Sequence, residues 1–203
     1  MDEKKRQTVN TYNRNAEALA NKFDDLPVRL SDIDETFDLV KKKNPKVLEI
    51  GCGNGRDAVE ICKRTNDYLG VDISEKLIRL ARKKVPQGKF EVADIETFAF
   101  PPNLNIIFAF ASLVHSPKEA LSRTFDEIHD ALDSGGVFRL SMKWNDRYSE
   151  VTKEDEFGIR TYFFYSLEDI KELGRGFVTI KNELLELRGQ TWLEVLFQKP
   201  TKA

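Results

Sequence analysis

The sequence predicts an α/β fold built on a doubly wound, seven-stranded, mostly parallel β-sheet with an antiparallel last strand and helices on both faces. Between residues 46 and 142, short apolar runs rich in β-branched residues and Phe alternate with amphipathic stretches, a pattern typical of βα units. A glycine-rich turn follows the first apolar run. Near the carboxyl end, only residues 188–190 separate two apolar segments, too few for a crossover helix, so these segments are predicted to pair antiparallel.

The elements are predicted in alternating order along the chain. The five parallel strands are expected at residues 46–50, 68–71, 89–93, 106–111 and 137–142. Helices are expected at 56–64, from an N-cap at Ser74 to 84, and from Pro117 to 132. A short helix capped by Ser166 and ending near 173 precedes the two antiparallel strands, 177–187 and 191–198. The intervening residues 143–156 are polar and predicted to be irregular.

Two predicted helices, 10–23 and 31–43, precede the first strand and have no strand of their own. We interpret residues 1–45 as a helical cap, which either covers the sheet or forms a lid over a bound cofactor. Residues 46–203 form the predicted cofactor-binding domain, and 143–165 are an insertion on its substrate side. The length of 203 residues requires no second core, so we expect a single structural domain overall.

Composition favours a small-molecule substrate. The formal net charge is −2, which gives no general attraction for nucleic acid or an anionic membrane. The polar amino terminus does not resemble a secretory signal, and no apolar run is long enough to span a membrane. We therefore expect a cytoplasmic monomer or homodimer that binds neither nucleic acid nor membrane. With two Cys and two His in separate positions, neither a disulfide framework nor a metal site is predicted.

The glycine-rich turn predicts a site for a nucleotide-containing cofactor. Gly51, Gly53 and Gly55 let the backbone approach a ligand and adopt angles that other residues avoid. Their spacing differs from the dinucleotide pattern Gly-x-Gly-x-x-Gly, because Arg56 stands where the third glycine of that pattern would be. Cys52 is interpreted as a small residue that fills the tight turn, rather than as a nucleophile.

Carboxylates surround the predicted site. Glu49 lies in the first strand, whereas Asp72 and Asp94 end the second and third strands, so all three belong to one edge of the sheet. A pyrophosphate would be repelled there. S-adenosylmethionine instead carries a sulfonium, an ammonium and a ribose diol, groups that suit carboxylate partners. The charge pattern therefore favours a cationic cofactor without phosphate.

These motifs resemble those of class I S-adenosylmethionine-dependent methyltransferases. The stretch 48–55, the aspartates Asp72 and Asp94, the segment 109–116 and the glycines before the fifth strand all resemble the family pattern. The resemblance covers residues 46–199. It implies a Rossmann-like fold, S-adenosylmethionine as the cofactor, S-adenosylhomocysteine as the product, and transfer of a methyl group to a small-molecule acceptor.

The resemblance also implies roles for single residues. Gly51, Gly53 and Gly55 would border the methionine part of the cofactor, Asp72 would bind the ribose, and Asp94 with Ile95 would hold the adenine. Ala111 and Ser112 would lie beside the sulfonium. Residues around these positions complete the predicted cofactor site: Tyr12, Glu49, Cys52, Arg56, Asp57 and Ile73. Tyr12 is either a lid residue or a packing residue. No Asp/Asn-Pro-Pro-aromatic tetrapeptide follows the fourth strand, which disfavours methylation of amino groups on nucleic-acid bases.

His115, just after the fourth strand, is the predicted catalytic base, with a role in shaping the pocket as the alternative. The candidate carboxylate-binding residues for the acceptor are Arg139, Lys143 and Arg147. The aromatic residues Tyr148 and 162–165 either wall an acceptor pocket or belong to the core.

Two other functions stay open at this point. An NAD-type oxidoreductase is disfavoured by Arg56 in the third-glycine position and by the absence of a catalytic Tyr-x-x-x-Lys pair. A non-catalytic S-adenosylmethionine-binding regulatory protein would keep the same motifs.

Overall fold

In the computed structural model, which describes residues 1–201, seven strands form one sheet and two more form a separate hairpin. The large sheet contains β1 Val47–Ile50, β2 Tyr68–Asp72, β3 Lys89–Val92, β4 Leu104–Phe110, β5 Leu132–Lys143, β8 Val178–Leu187 and β9 Gln190–Gln198. The hairpin contains β6 Ser149–Asp155 and β7 Gly158–Phe164. The last two residues of the predicted 46–203 domain lie outside the described residues.

The strand order of the large sheet is β3-β2-β1-β4-β5-β9-β8. Strands β1 to β5 pair in parallel, with Val47 opposite both Tyr68 and Ile106. Strand β9 runs antiparallel to both of its neighbours, β5 and β8. The chain moves outward in one direction from β1 and in the other from β4, so the order reverses between these two strands. The predicted fold class is confirmed.

Seven α-helices are present in residues 1–201: α1 Glu3–Arg14, α2 Ala16–Asp24, α3 Leu30–Val40, α4 Ala58–Ile61, α5 Glu75–Lys84, α6 Lys118–Ala131 and α7 Leu167–Leu173. The caps predicted for two of them are present. Ser74 accepts a hydrogen bond from the Leu77 backbone N–H at the start of α5, and Ser166 forms a capping box with Asp169 at the start of α7.

The helices cover both faces of the sheet. On one face, Ile33 of α3 and Ile78 of α5 are fully buried in a core cluster with the sheet residue Phe108. On the other, Phe125 of α6 and Ile170 of α7 are buried against the opposite side. Burial of these apolar surfaces is the main force that holds the layers together.

The structure divides the predicted helix 10–23 into two helices. The first begins at Glu3, where the Asp2 side chain accepts a hydrogen bond from the Lys5 backbone N–H, and the break lies at Asn15. There the Asn15 side-chain Nδ2 donates to the Phe157 carbonyl at 2.5 Å. A side chain that bonds to distant backbone fixes the break, and local sequence pattern does not reveal such a bond.

The polar segment predicted to be irregular contains β6, which pairs antiparallel with β7. The prediction was wrong because most side chains of β6 face solvent, so the strand lacks the apolar alternation by which strands are recognised. Helix α1 packs on β7: Thr11 Oγ1 donates to the Ile159 carbonyl at 2.7 Å, and the Thr161 backbone N–H donates to Thr8 Oγ1 at 3.1 Å.

Among residues 1–201, each helix is either too short or too polar to cross a lipid bilayer.

Candidate active site

A cavity of about 610 Å³ opens where β1, β2, β4 and β5 end. In open α/β sheets the ligand crevice lies outside the carboxyl ends of the strands, at the point where strand order reverses. Every predicted cofactor residue except Gly55 lines this cavity: Tyr12, Glu49, Gly51, Cys52, Gly53, Arg56, Asp57, Asp72, Ile73, Asp94, Ile95, Ala111 and Ser112. His115 lines it as well.

The first two glycines of the loop, Gly51 and Gly53, line the cavity. Gly51 has φ +70°, and a Cβ there would lie 2.1 Å from the Ser112 Cβ, so only glycine permits this contact between the loop and the end of β4. Gly53 has φ +56° with nothing within 4 Å of an added Cβ. Its backbone N–H donates to Asp72 Oδ2 at 3.0 Å, which orients that carboxylate.

Gly55 departs from its predicted role beside the cofactor. It is buried and does not line the cavity. Its φ is +80°, and an added Cβ would lie 3.2 Å from the Ala81 backbone in α5. The third glycine therefore allows close packing of the loop against a helix, a contact that depends on tertiary structure.

Two carboxyl groups in the cavity have raised pKa values. Glu49 is buried, and burial raises its pKa to about 8, with repulsion from Asp57 adding to the effect. The Tyr68 hydroxyl donates to Glu49 Oε2 at 2.5 Å. Burial also raises the pKa of Asp72 to about 6, although the Ser74 and Gly53 backbone N–H groups donate to it. A cationic ligand would favour the ionised form of both groups.

The remaining charges beside the glycine loop are paired. Arg56 contacts Asp57 through Nη2 and Oδ2 at 2.6 Å, and its Nη1 donates to the Phe23 carbonyl of α2. The guanidinium is therefore engaged by a carboxylate and a carbonyl, an arrangement poorly suited to holding a pyrophosphate. Burial raises the pKa of the Cys52 thiol, so the thiolate needed for a nucleophilic role is disfavoured.

Asp94, at the far side of the cofactor region, contacts the helical cap. Lys5 Nζ of α1 lies 2.6 Å from Asp94 Oδ1 and 2.8 Å from Glu96 Oε1. The Glu96 backbone N–H also donates to Asp94 Oδ1 at 3.1 Å. These contacts connect α1 to the predicted adenine side of the cavity.

The residues after β4 show strain and an unmet hydrogen bond. Ala111 has φ +53°, a left-handed conformation that is rare for alanine. The buried Oγ of the next residue, Ser112, has no hydrogen-bond partner among the described residues. A buried hydroxyl without a partner is costly. A ligand in the cavity would supply that partner, so the site fits a molecule with polar groups.

A hydrogen bond connects Tyr12 and His115, which both line the cavity. The Thr161 carbonyl accepts from His115 Nδ1 at 2.6 Å, so the ring proton lies on Nδ1. The Tyr12 hydroxyl therefore donates to Nε2 at 2.9 Å. Burial, together with the nearby cations Arg160 and Lys143, lowers the pKa of His115 to about 4. The imidazole is thus neutral at pH 7.

Comparison with known proteins shows what the chain is similar to. Residues 47–136 match the methyltransferase domain family. The fold is similar to that of S-adenosylmethionine-dependent methyltransferases. Trans-aconitate 2-methyltransferase from Rhodopseudomonas palustris (strain HaA2) is 33% identical over 102 residues, which cover 49% of this chain and 39% of that relative. The chain therefore matches about two fifths of that relative's length.

Solved structures have the same fold. A 1,6-didemethyltoxoflavin-N1-methyltransferase from Burkholderia thailandensis, with bound 1,6-didemethyltoxoflavin and S-adenosylhomocysteine, has a TM-score of 0.73 at 17% identity. That match covers 95% of this chain and 85% of the other. An S-adenosylmethionine-dependent methyltransferase from Clostridium acetobutylicum has a TM-score of 0.72 at 13% identity, covering 90% of this chain and 98% of the other.

Of the three cations expected to bind a carboxylate, only Lys143 lines the cavity. Arg139 is buried and pairs with Asp32 and Glu35. Those carboxylates belong to α3, so Arg139 faces the helix layer. Arg147 is exposed and outside the lining. The prediction for Arg139 and Arg147 was wrong. Arg139 lies in the interior of β5, where it faces α3, whereas Lys143 lies at the carboxyl end of the strand. The loop after β5 places Arg147 away from the cavity.

Some of the predicted aromatic residues also line the cavity, whereas others belong to the core. Tyr162 lines the cavity, whereas Tyr148, Phe163 and Tyr165 pack in the core cluster of the opposite face. The Tyr165 hydroxyl donates to the Ser116 carbonyl at 2.7 Å, which satisfies its buried polar group. Both expectations, pocket and core, therefore hold for different residues of this segment.

The cavity lining also contains residues that were not predicted from the sequence, among them Arg29, Arg160 and Trp192. Arg160 lies two residues before Tyr162, so period-two alternation along a strand would have placed both on one face. Arg29 and Trp192 carry no such signal. They reach the cavity only because α3 and β9 pack beside it.

Proposed function

We propose that this protein is an S-adenosylmethionine-dependent methyltransferase that transfers a methyl group to a small-molecule acceptor. The observation that carries the proposal is the charge pattern at the glycine loop. Glu49 and Asp72 lie in one cavity with the loop, and the nearby Arg56 is paired with Asp57. This favours a cationic cofactor over a pyrophosphate. The NAD-type alternative has no support from the family match, which is to a methyltransferase domain.

We assign the predicted cofactor residues to parts of the molecule as follows. Asp72 would accept hydrogen bonds from the ribose diol, and Asp94 with Ile95 would hold the adenine. The Glu49 carboxylate would attract the ammonium of the methionine part, and Gly51 would lie beside it. Ser112 Oγ would gain the partner it lacks. When bound, S-adenosylmethionine supplies an electrophilic methyl group.

The protein's own contribution would be to position an acceptor in line with that methyl group and to exclude water. The helical cap, residues 1–45, and the insertion, residues 143–165, are proposed to do this together. The cap supports this role because α1 is bonded to β7 through Thr8 and Thr11 and contacts Asp94 through Lys5.

His115 was predicted to be the catalytic base, and it lines the cavity. Two observations favour a positioning role instead. Its Nε2 lone pair already accepts from Tyr12, and a pKa of about 4 makes it a weak proton acceptor. We propose that His115 holds Tyr12 and the Tyr162 ring, whose centroids lie 5.5 Å and 4.8 Å from that of the imidazole.

A double-mutant cycle with His115→Asn and Tyr12→Phe separates the two roles. A positioning role predicts that each variant lowers kcat by about 3–10-fold, that the losses are not additive, and that kcat of the wild type stays flat between pH 6 and 8. A base role predicts a loss of about 100-fold or more for His115→Asn alone, together with additive effects.

Turnover tests the proposed function itself. The purified protein is incubated with S-adenosylmethionine and a panel of small acids, phenols, amines and thiols, and S-adenosylhomocysteine is quantified. The proposal predicts product with at least one acceptor and a large loss in Asp72→Asn, with the exposed-residue variant Glu17→Gln as the control. Cofactor binding without product from any acceptor would favour the non-catalytic alternative.

A further inference from the structure

The cationic side chains that line the cavity differ in whether a carboxylate neutralises them. Most are paired with a nearby carboxylate: Lys5 with Asp94 and Glu96, Lys22 with Glu156, Arg29 with Glu194, Arg56 with Asp57, and Arg160 with Asp155. Lys143 and Arg188 have no carboxylate partner within the described residues, but Arg188 is exposed to solvent. The Lys143 Nζ donates to Gln190 Oε1 at 3.0 Å. A neutral amide leaves the positive charge of this lysine uncompensated.

Lys143 is also partly withdrawn from water. Its Nζ lies 4.9 Å from the ring centroid of Tyr162, 5.0 Å from that of Trp192 and 5.5 Å from that of Phe164. Burial, together with repulsion from Lys153 and Arg160, lowers the pKa of Lys143 to about 8. The rings stabilise a cation only modestly. A desolvated ammonium without a counter-ion gains most from an anionic ligand.

Arg160 adds a second donor beside the same aromatic ring. Its Cζ lies 5.7 Å from the Tyr162 centroid. One end of the guanidinium pairs with Asp155, whereas the buried Nε has no hydrogen-bond partner in residues 1–201. The Tyr162 ring thus has an uncompensated ammonium and an unpartnered N–H near it. Two such donors match the two oxygens of a carboxylate better than the three of a phosphate.

The location of these donors divides the cavity by charge. Glu49 and Asp72 lie on β1 and β2, whereas Lys143 ends β5, on the other side of β4. His115 packs against the Tyr162 ring with centroids 4.8 Å apart. The acidic side suits the cationic cofactor, and the basic side faces the space that an acceptor would occupy.

We propose that the acceptor is a carboxylic acid and that Lys143 Nζ, together with Arg160 Nε, binds its carboxylate. This inference rests on the proposed function, since it names the substrate class of the same site. The inference concerns the group through which the acceptor binds, and not the atom that is methylated. Lys143 is then a specificity-determining residue.

Binding to matched small molecules tests this proposal without turnover. Each probe set contains an acid, its primary amide and a phosphate or phosphonate of similar size, for example benzoate, benzamide and phenyl phosphate, or butyrate, butyramide and propylphosphonate. Thermal shift in the presence of S-adenosylhomocysteine finds binders, and calorimetry gives their Kd. We expect acids to bind about tenfold or more tightly than the matched amide and phosphate.

Variants at Lys143 locate the binding. In Lys143→Met, which keeps the apolar stem, acid binding should weaken about tenfold or more, whereas Lys143→Arg should stay within about threefold of wild type. Lys171→Met removes an exposed positive charge on α7, away from the cavity lining, and should change binding by less than about twofold. The melting temperature of each variant checks that it folds.

Three results would overturn the proposal: no acid binds, amides or phosphates bind as well as acids, or acid binding survives in Lys143→Met. The Kd of S-adenosylhomocysteine separates these failures from failure of the proposed function. If the wild type and Lys143→Met bind S-adenosylhomocysteine equally and acids do not bind, only the acceptor class is wrong. If the wild type does not bind S-adenosylhomocysteine, the proposed function fails.

Discussion

At the residue scale, Glu49 illustrates how a binding site can lower stability. Its carboxyl is buried beneath the glycine loop, and its pKa is raised from an ordinary value of 4.5 to about 8. The Tyr68 hydroxyl supplies one hydrogen bond, but no cationic side chain forms an ion pair with Glu49 in the described residues. A cationic cofactor would supply the missing charge. The residue that suits the ligand therefore destabilises the unliganded protein.

Replacement of Glu49 by Gln should raise stability at alkaline pH. Below pH 4.5 the carboxyl is protonated in both the folded and unfolded states, so its contribution to stability does not change with pH there. Between pH 4.5 and 8 the unfolded state ionises first, so the stability contributed by the protonated, buried carboxyl is lost as pH rises. Glu49→Gln removes this loss and keeps an acceptor for Tyr68. The free energy of unfolding at pH 8 should rise by about 1–3 kcal/mol.

Urea unfolding at pH 5.5 and pH 8 measures this effect, with Glu17→Gln as the exposed control. The gain should be larger at pH 8 than at pH 5.5 for Glu49→Gln and near zero at both for the control. A stability loss at pH 8 would mean that Glu49 is ionised and well compensated in the folded state.

The two glycines that line the cavity should respond differently to replacement by Ala. Gly51→Ala places a Cβ 2.1 Å from the Ser112 Cβ, so the loop or the end of β4 must move, at about 2–4 kcal/mol. Gly53→Ala meets no atom within 4 Å and should cost only the left-handed backbone penalty of about 1–2 kcal/mol. Urea unfolding of both variants checks the difference, and equal losses would contradict the contact at Gly51.

The sequence predicts residues of this site to the extent that their positions depend on local order. Asp72 follows directly from a strand end, and Gly51 from the turn after a strand. Arg160 was missed because sequence alone does not show whether a charged side chain on a strand faces a cavity. The expectation for Arg139 was wrong because Arg139 lies in the interior of β5, facing α3, and not at the carboxyl end of the strand. That Lys143 lacks a carboxylate partner depends on residues distant in sequence, such as Gln190 of β9.

At the element scale, α1 and β7 form one unit over the cavity. The bonds from Thr8 and Thr11 join the helix to the strand, and Gly158 has φ +119° where a Cβ would lie 3.0 Å from Thr11 Oγ1. Neither element belongs to the large sheet, and hydrogen bonds between them help to fix their positions. The parallel strands were predicted because each is an apolar run, whereas the polar strand β6 is stabilised by pairing with β7, which no local pattern shows.

Hydrogen–deuterium exchange tests whether this unit closes over the cofactor. With S-adenosylhomocysteine bound, amides of α1 and β7 should exchange about tenfold more slowly, because opening would break contacts to the ligand as well as those to Asp94. Amides of α6, on the opposite face of the sheet, serve as the control. If the α1 amides exchange at the same rate with saturating S-adenosylhomocysteine as without it, the helix only packs against the protein and does not close over the cofactor.

At the scale of the whole molecule, the fold places opposite charges at two ends of one cavity. The acidic groups follow β1 and β2, whereas the uncompensated ammonium of Lys143 follows β5, and the strand order puts β4 between them. The modest net charge of −2 conceals this internal division. A cationic methyl donor and an anionic acceptor would each find complementary charge there.

Isothermal titration calorimetry with S-adenosylmethionine and with NAD tests the central claim most directly. The account predicts one S-adenosylmethionine site per chain and no detectable NAD binding, with affinity reduced about tenfold or more in Asp72→Asn, since that change weakens hydrogen bonds to a charged group. Affinity should also rise with pH through about 6, as Asp72 ionises. NAD binding in the absence of S-adenosylmethionine binding would contradict the account.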